Sequence, residues 1–165
     1  MRLLLVPLFS RIITMDITSE MVKELREKTG IGVSECKKAL VEAAGDMQKA
    51  LQIVTGHAAV AAEKKADRTL GAGTVASYIH HQGSVGALVH LSCETDFVSK
   101  NEEFVALARD IAMHVSAMRP ADTAELLSQP FIKDPSKTVA DLISGATQKF
   151  GERTQLTDFA AFSVT

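Results

Sequence analysis

The chain has 165 residues, of which 46% are hydrophobic and 23% are charged, and its formal net charge at pH 7 is −2. This length suits one domain with a small appendage, and the charge argues against broad binding to a nucleic-acid backbone. Its two cysteines, Cys36 and Cys93, lie far apart and outside any CxxC pair, which argues against a zinc site or a disulfide framework and favours a reducing compartment.

The first fourteen residues, MRLLLVPLFSRIIT, differ in composition from the rest of the chain. They contain no acidic residue, and their apolar run is interrupted by Pro7 and is too short to span a bilayer. We expect residues 1–14 to be an N-terminal extension. It is either a start assigned too early, with Met15 as the true first residue of a cytoplasmic protein, or an organellar presequence that leads to the mitochondrial matrix.

Three short helices are predicted between residues 15 and 56. Thr18 is placed to cap the first helix, Gly30 to end it, and Asp46 to cap the third. The second helix carries apolar residues at the i, i+3, i+4, i+7 spacing of one buried stripe: Cys36, Ala39, Leu40 and Ala43. Together they predict a minimal three-helix bundle, small enough to need support from a neighbour.

Beyond the bundle, the alanine-rich and charged residues 57–70 predict a helical or partly helical linker. TVASYIH at residues 74–80 and VGALVHLSC at residues 85–93 then alternate with the period of two that is typical of strands. The two segments predict a β-hairpin. One of its faces would carry Ala87, Val89, Leu91 and Cys93.

Two amphipathic helices and a third strand complete the predicted core of residues 71–165. One helix follows a cap at Ser99 or Asn101, and another begins at Thr138, which forms a capping box with Asp141. The tail LTDFAAFSV alternates as a strand. The sequence therefore predicts an α+β fold, in which a three-stranded antiparallel sheet is packed with helices after the helical bundle.

An aromatic ring stands where the second predicted strand gives way to a helix. Phe97 follows the polar triplet Glu94-Thr95-Asp96, at a corner where chains usually place Gly, Asn or Ser. The ring either closes the end of a small core or is exposed for a partner. The residues alone leave both interpretations open.

Other candidate chemistry is weak. His80, His81 and His90 could suggest a metal, but strand alternation sends His80 and His81 to opposite faces. Cys93 belongs to the inward set of its strand, so a buried, inert thiol is favoured over the nucleophile of a small hydrolase. Gly71-Ala72-Gly73 lacks the spacing and the lysine of a phosphate-binding loop. We expect neither a metal nor a cofactor.

Four motifs resemble translation elongation factor Ts: VKELREKTGIGVSECKKALVEAAGD, CETDFVSKNEEF, IAMHV and QPFIKDPSKTV. The resemblance covers nearly all of the chain from Met15 onward. It implies a ubiquitin-associated-like bundle over residues 15–56. It also implies a guanine-nucleotide exchange factor that is not an enzyme and acts on GDP-bound elongation factor Tu, without direct contact to nucleic acid or membrane.

The resemblance also implies which residues contact the partner. In this family the Asp-Phe of the T-D-F-V motif meets the nucleotide-binding domain of elongation factor Tu and disturbs its magnesium and phosphate site. Here that motif is Thr95, Asp96, Phe97 and Val98. Further contacts are implied for Arg26, Val33, Ser34 and Lys37 in the bundle and for Val85, Gly86 and His114 in the core.

Some of these positions depart from the family. Longer members commonly carry methionines where Val33 and Ser34 stand, so less apolar area is available there. For His114 the alternative is an ordinary solvent-facing helix residue.

The family's coiled-coil excursion is also missing, because only the short segment 116–125 bridges its place. A single core unit then holds both contact motifs, as in short members that pair. We therefore expect a homodimer through the sheet, whose tail strand is an exposed edge, although Thr157-Asp158 replaces the usual basic run there. An adaptor that binds elongation factor Tu without exchanging its nucleotide is the alternative.

Overall fold

In the computed structural model of the chain, the described residues are 17–80 and 83–164, without the side chains of residues 58, 59, 61 and 62. The N-terminal extension, Met15 and His81, on which three of the predictions above fall, lie outside the described residues.

The N-terminal part folds into three helices within the described residues, α1 (Ser19–Thr29), α2 (Val33–Glu42) and α3 (Met47–Lys64). Thr18 Oγ1 accepts the Met21 N–H at 3.3 Å, and Gly30 ends α1 with a φ of 70°. Asp46 Oδ1 accepts two backbone N–H groups of the first turn of α3. All three predicted helix ends are therefore confirmed.

The stripe predicted on α2 is buried, and it packs on Leu25 of α1 and Val54 of α3. The third helix differs from the prediction, because it has 18 residues and is not short. It continues to Lys64 through the alanine-rich stretch, whose residues have high helix propensity. The predicted linker is thus helical up to residue 64 and irregular from 65 to 70.

The core follows in chain order as β1 (Ala72–Ile79), β2 (Val85–Cys93), α4 (Asp96–Ser99), α5 (Glu102–Met118), α6 (Thr123–Ser128), β3 (Pro130–Phe131), β4 (Asp134–Thr138), α7 (Val139–Phe150) and β5 (Gln155–Ser163). In the described part of the chain, β1, β2 and β5 form an antiparallel sheet in the order β1-β2-β5. The α+β fold class is confirmed. The short elements α4, α6, β3 and β4 were not predicted, because none is long enough to show a period.

Helix α5 covers one face of this sheet. The predicted inward set of β2 is buried beneath it, together with Phe104, Ala108, Ile111 and Val115 of α5. Asn101, and not Ser99, caps α5, since its Oδ1 accepts the Glu103 N–H at 2.9 Å. The capping box of Thr138 and Asp141 at the start of α7 is present.

The opposite face of the sheet carries a group of exposed apolar side chains. Val75 and Ile79 of β1, Leu88 of β2 and Phe162 of β5 project from it, and Ile79 is 69% exposed. Pairing places Gly86 between Ile79 and Phe162, and these residues border a cavity of about 360 Å³. No helix among the described residues is both long and apolar enough to cross a membrane.

Candidate protein-interaction site

The corner between β2 and α5 is a single helical turn, α4. Of two consecutive side chains in this turn, one points to solvent and the next points into the core. Phe97 of α4 is 82% exposed, whereas Val98 is 4% exposed and belongs to the core around α5. The alternative in which Phe97 closes the core is therefore wrong. The corner presents an aromatic ring to solvent on a turn that is anchored by its apolar neighbour.

Asp96 lies beside this ring on the same turn. Its Oδ2 accepts a hydrogen bond from Lys100 Nζ at 2.7 Å. That hydrogen bond and the lysine charge lower the pKa of the Asp96 carboxyl. The surface around Phe97 thus carries a carboxylate that is charged at neutral pH and is held by an exposed ion pair.

The two residues before Asp96 are tied to a distant segment. Thr95 donates both its backbone N–H and its hydroxyl to the carboxylate of Glu152, which follows α7. Glu94 accepts hydrogen bonds from the Arg153 backbone N–H at 2.5 Å and from Arg68 Nη1 at 3.2 Å. The Arg153 N–H is the main cause of a lowered pKa for the Glu94 carboxyl. The corner is therefore held by hydrogen bonds to residues that lie outside β2 and α4.

Cys93 lies immediately beneath the corner and is buried, as predicted. Its Sγ donates to the Thr95 carbonyl at 3.2 Å. Burial and the nearby carboxylates of Glu152 and Glu94 raise the pKa of the thiol, so little thiolate is present at neutral pH. This thiol is suited to packing and not to nucleophilic attack. Among the described residues, no group of three or more His, Cys, Asp and Glu side chains could hold a metal ion.

His114 lies inside the protein. Its ring is 0% exposed and packs against Phe131, so the alternative of a solvent-facing ring is wrong. Its Nδ1 accepts the Ile132 N–H at 3.2 Å, and its Nε2 lies 3.0 Å from Gln129 Oε1. Because Nδ1 is an acceptor, Nε2 carries the proton and donates it to Gln129. The ring thus joins α5 to the segment between α6 and β4.

Val85 and Gly86, also predicted to contact the partner, lie at the far end of the sheet from Phe97. They begin strand β2, which has nine residues, and Val85 is separated from Cys93 at its other end by roughly 26 Å of extended chain. The end of α5 joins them there, since Arg119 donates to Ser163 Oγ at 2.7 Å and Ser163 pairs with Val85. One core unit therefore carries the two predicted contact regions at opposite ends.

The bundle residues predicted to contact the partner are all exposed: Arg26, Val33, Ser34 and Lys37. Val33 follows Gly32 in the first turn of α2, where its side chain is half exposed. The bundle is attached to the core, because α3 packs against α7 and Lys65 Nζ donates to the Thr147 carbonyl at 3.4 Å. The bundle that carries these exposed residues is thus packed onto the core that carries the corner.

Glu152, Arg68 and Arg153 are part of the site but were missed by sequence reasoning. They belong to a linker and to the residues after a helix, where no periodic pattern marks a side chain as structural. The left-handed Gly151, with a φ of 73°, turns the chain so that Glu152 comes next to Thr95.

Comparison with known proteins identifies the family. The model of the family described as elongation factor TS matches residues 14–121 and, in a second match, residues 94–165. The chain belongs to this family. Elongation factor Ts of Desulforamulus reducens is 39% identical over 194 aligned positions, which cover 90% of this chain and 89% of that protein. Elongation factor Ts of Thermodesulfovibrio yellowstonii is 38% identical over 194 positions, which cover 91% of this chain and 97% of that protein.

The alignments to elongation factor Ts also contain a length difference. Their 194 positions exceed the 165 residues of this chain by 29, so at least that many positions have no residue here. These relatives therefore carry residues that have no counterpart in this chain. Such a difference is expected if the coiled-coil excursion is absent.

Proposed function

We propose that this protein is a guanine-nucleotide exchange factor that promotes release of GDP from elongation factor Tu. The observation that carries the proposal is the exposed ring of Phe97, which stands on a corner braced to the core in a member of the elongation factor Ts family. The ring enters the partner near its magnesium and nucleotide site. The protein acts in the cytoplasm, and the mitochondrial matrix remains the alternative if residues 1–14 are a presequence.

The physics of such exchange needs no reacting group on this chain. A central aromatic anchor that fills a partner pocket supplies binding free energy, and this free energy favours the partner conformation that has lost its magnesium and phosphate contacts. Asp96 adds a negative charge next to the entering ring. No bond is made or broken, so the protein is not an enzyme and needs no cofactor. Its net charge of −2 agrees with a protein partner and not with nucleic acid.

The other predicted residues have two kinds of role in this proposal. The exposed bundle residues Arg26, Val33, Ser34 and Lys37 contact the partner directly, as do Val85 and Gly86. Val98 and His114 are buried, so we assign them the support of the contact surface and not a direct contact.

The proposal includes a homodimer that forms through the uncovered face of the sheet. Ile79, Leu88 and Phe162 leave an apolar surface there, on which nothing from the described part of the chain packs. A second copy would cover this surface with its own, as self-complementary interfaces do. It would also bring the Phe97 corner of one copy and the Val85 end of the other within reach of one partner.

Release of labelled GDP from elongation factor Tu tests the proposal. We expect added protein to raise the release rate in proportion to its concentration until the partner is saturated. The adaptor alternative is kept because at least 29 positions of the relatives are missing here. It predicts binding to the partner without faster release, and absence of binding would contradict both functions.

A further inference from the structure

Thr95 and Glu152 form a two-point contact directly before the exposed ring. The Thr95 backbone N–H donates to Glu152 Oε2 at 3.0 Å, and its hydroxyl donates to Oε1 at 2.6 Å. Both bonds go to an ionised carboxylate, which makes them stronger than neutral hydrogen bonds. The two residues are 57 positions apart in the chain, so this contact joins separate parts of the core.

The contact is reciprocated by the neighbouring residues. While Glu152 accepts the backbone N–H of Thr95, Glu94 accepts the backbone N–H of Arg153. Each of the segments 94–95 and 152–153 thus provides a carboxylate that accepts a backbone N–H of the other segment. Arg68 adds to this brace, because it donates to Glu94 and its carbonyl accepts from Arg153 Nη1 at 2.6 Å.

Thr95 is also the residue that precedes the turn holding Phe97. It stands at the N-cap position of α4, a helix of four residues. Among the described contacts, its hydroxyl donates to Glu152 and does not cap α4. A single turn does not hold itself together, since helix nucleation is unfavourable. Val98 and Ser99 are buried on one side of the turn, and Glu152 bonds the residue at its start.

We propose that Glu152 is a positioning residue that fixes the orientation of the Asp96–Phe97 turn toward the partner. Phe97 is too exposed to be oriented by packing, so its direction follows from the backbone that Glu152 holds. The inference rests on the proposed function for its effect on exchange. The effect of Glu152 on the backbone order of the corner does not depend on that function.

The test is Glu152→Gln, which keeps the length of the side chain and removes one acceptor oxygen. The Thr95 N–H can then donate to the amide oxygen and the amide NH₂ to the Thr95 hydroxyl, so two charge-assisted hydrogen bonds are replaced by two weaker neutral ones. The matched control is Asp110→Asn, which also replaces a carboxylate by an amide and breaks one ion pair, with Lys133, away from the corner. Release rates are compared per folded molecule, with the folded fraction measured by circular dichroism.

We expect Glu152→Gln to lower the maximal GDP release rate about fivefold, because weaker neutral hydrogen bonds in place of charge-assisted ones reduce the population of the competent orientation. Asp110→Asn should stay close to the unmodified rate. In a Phe97→Ala background, Glu152→Gln should change the rate less than twofold, because Glu152 acts through the ring. The inference would be overturned if Glu152→Gln lowered the release rate equally with and without Phe97→Ala. It would also be overturned if Glu152→Gln left the rate unchanged in the protein that retains Phe97.

Backbone ¹⁵N order parameters of residues 95–98 provide the readout that does not depend on exchange. We expect them to fall in Glu152→Gln and to stay unchanged in Asp110→Asn. Unchanged order in Glu152→Gln would show that Glu152 does not orient the turn. If the unmodified protein does not accelerate GDP release at all, the proposed function fails, and the role of Glu152 in exchange fails with it, while the order parameters still decide whether it orients the turn.

Discussion

Phe97 and Val98 are consecutive residues of one helical turn, yet their side chains lie in opposite environments. The ring of Phe97 points to solvent, and Val98 packs in the core beneath α5. A change at either position removes apolar atoms from the same turn. The two changes should therefore separate what the turn contributes to stability from what it contributes to binding.

Val98→Ala should lower the free energy of unfolding by about 2 kcal/mol, because it removes buried methyl groups and leaves a small cavity. Urea unfolding followed by circular dichroism measures this loss. Val41→Ala, at an exposed site of α2, is the control and should stay within about 0.5 kcal/mol of the unmodified protein. Equal stability of all three proteins would show that Val98 does not anchor the corner.

His114→Ala should destabilise the protein by about 3 kcal/mol, since it creates a cavity and leaves the Ile132 N–H without its acceptor. The control is His57→Ala on the exposed surface of α3, which should have little effect on stability. Chemical unfolding of both variants checks the difference. A His114 variant that is as stable as the unmodified protein but binds elongation factor Tu poorly would instead assign the ring a direct contact.

Local signals explain which parts of the fold could be predicted. The caps at Thr18, Asp46 and Thr138 are hydrogen bonds between residues two or three positions apart, so a short stretch of sequence contains all their partners. The buried stripes of α2 and β2 follow from periods of 3.6 and 2 residues. The exposure of Phe97 could not be predicted from such local signals, because it depends on how α4 packs against the rest of the core.

The braces of the site lie outside the reach of such signals. Glu152 meets Thr95 across 57 residues, and His114 meets Ile132 across 18. In the sequence alone, Glu152 and His114 are each indistinguishable from an ordinary polar residue on the protein surface. The burial of His114 comes from the short elements α6 and β3, which have no period of their own.

Light scattering at micromolar concentration should give a mass near twice 17.7 kDa, because the apolar face of the sheet needs cover. Phe162→Lys places a charge on that face and should give a monomer without loss of the fold, since the ring is mostly exposed in the single chain. Val41→Lys adds the same charge at an exposed valine of the bundle and should leave the dimer intact. A monomeric unmodified protein that exchanges nucleotide at its full rate would contradict the dimer.

The lowered pKa of Glu94 predicts a dependence of stability on pH. A carboxyl whose pKa is lower in the folded state stabilises the fold above its ordinary value of about 4.3, and this contribution is lost as the pH falls through the lower value. Glu94→Gln should therefore be less stable than the unmodified protein at about pH 6, and the difference should shrink below about pH 4. Unfolding by urea across this range measures it, with the exposed Glu42→Gln as the control for loss of one charge. A difference that does not change with pH would contradict the assigned cause.

The rate of GDP release from elongation factor Tu, measured with the unmodified protein and with Phe97→Ala, tests the central claim most directly. Removal of an exposed ring leaves no cavity, so thermal unfolding of the variant should be nearly unchanged. Loss of a central aromatic anchor typically costs about 2 kcal/mol or more, so the release rate should fall roughly thirtyfold. A Phe97→Ala variant that remains folded and still releases GDP as fast as the unmodified protein would contradict the account.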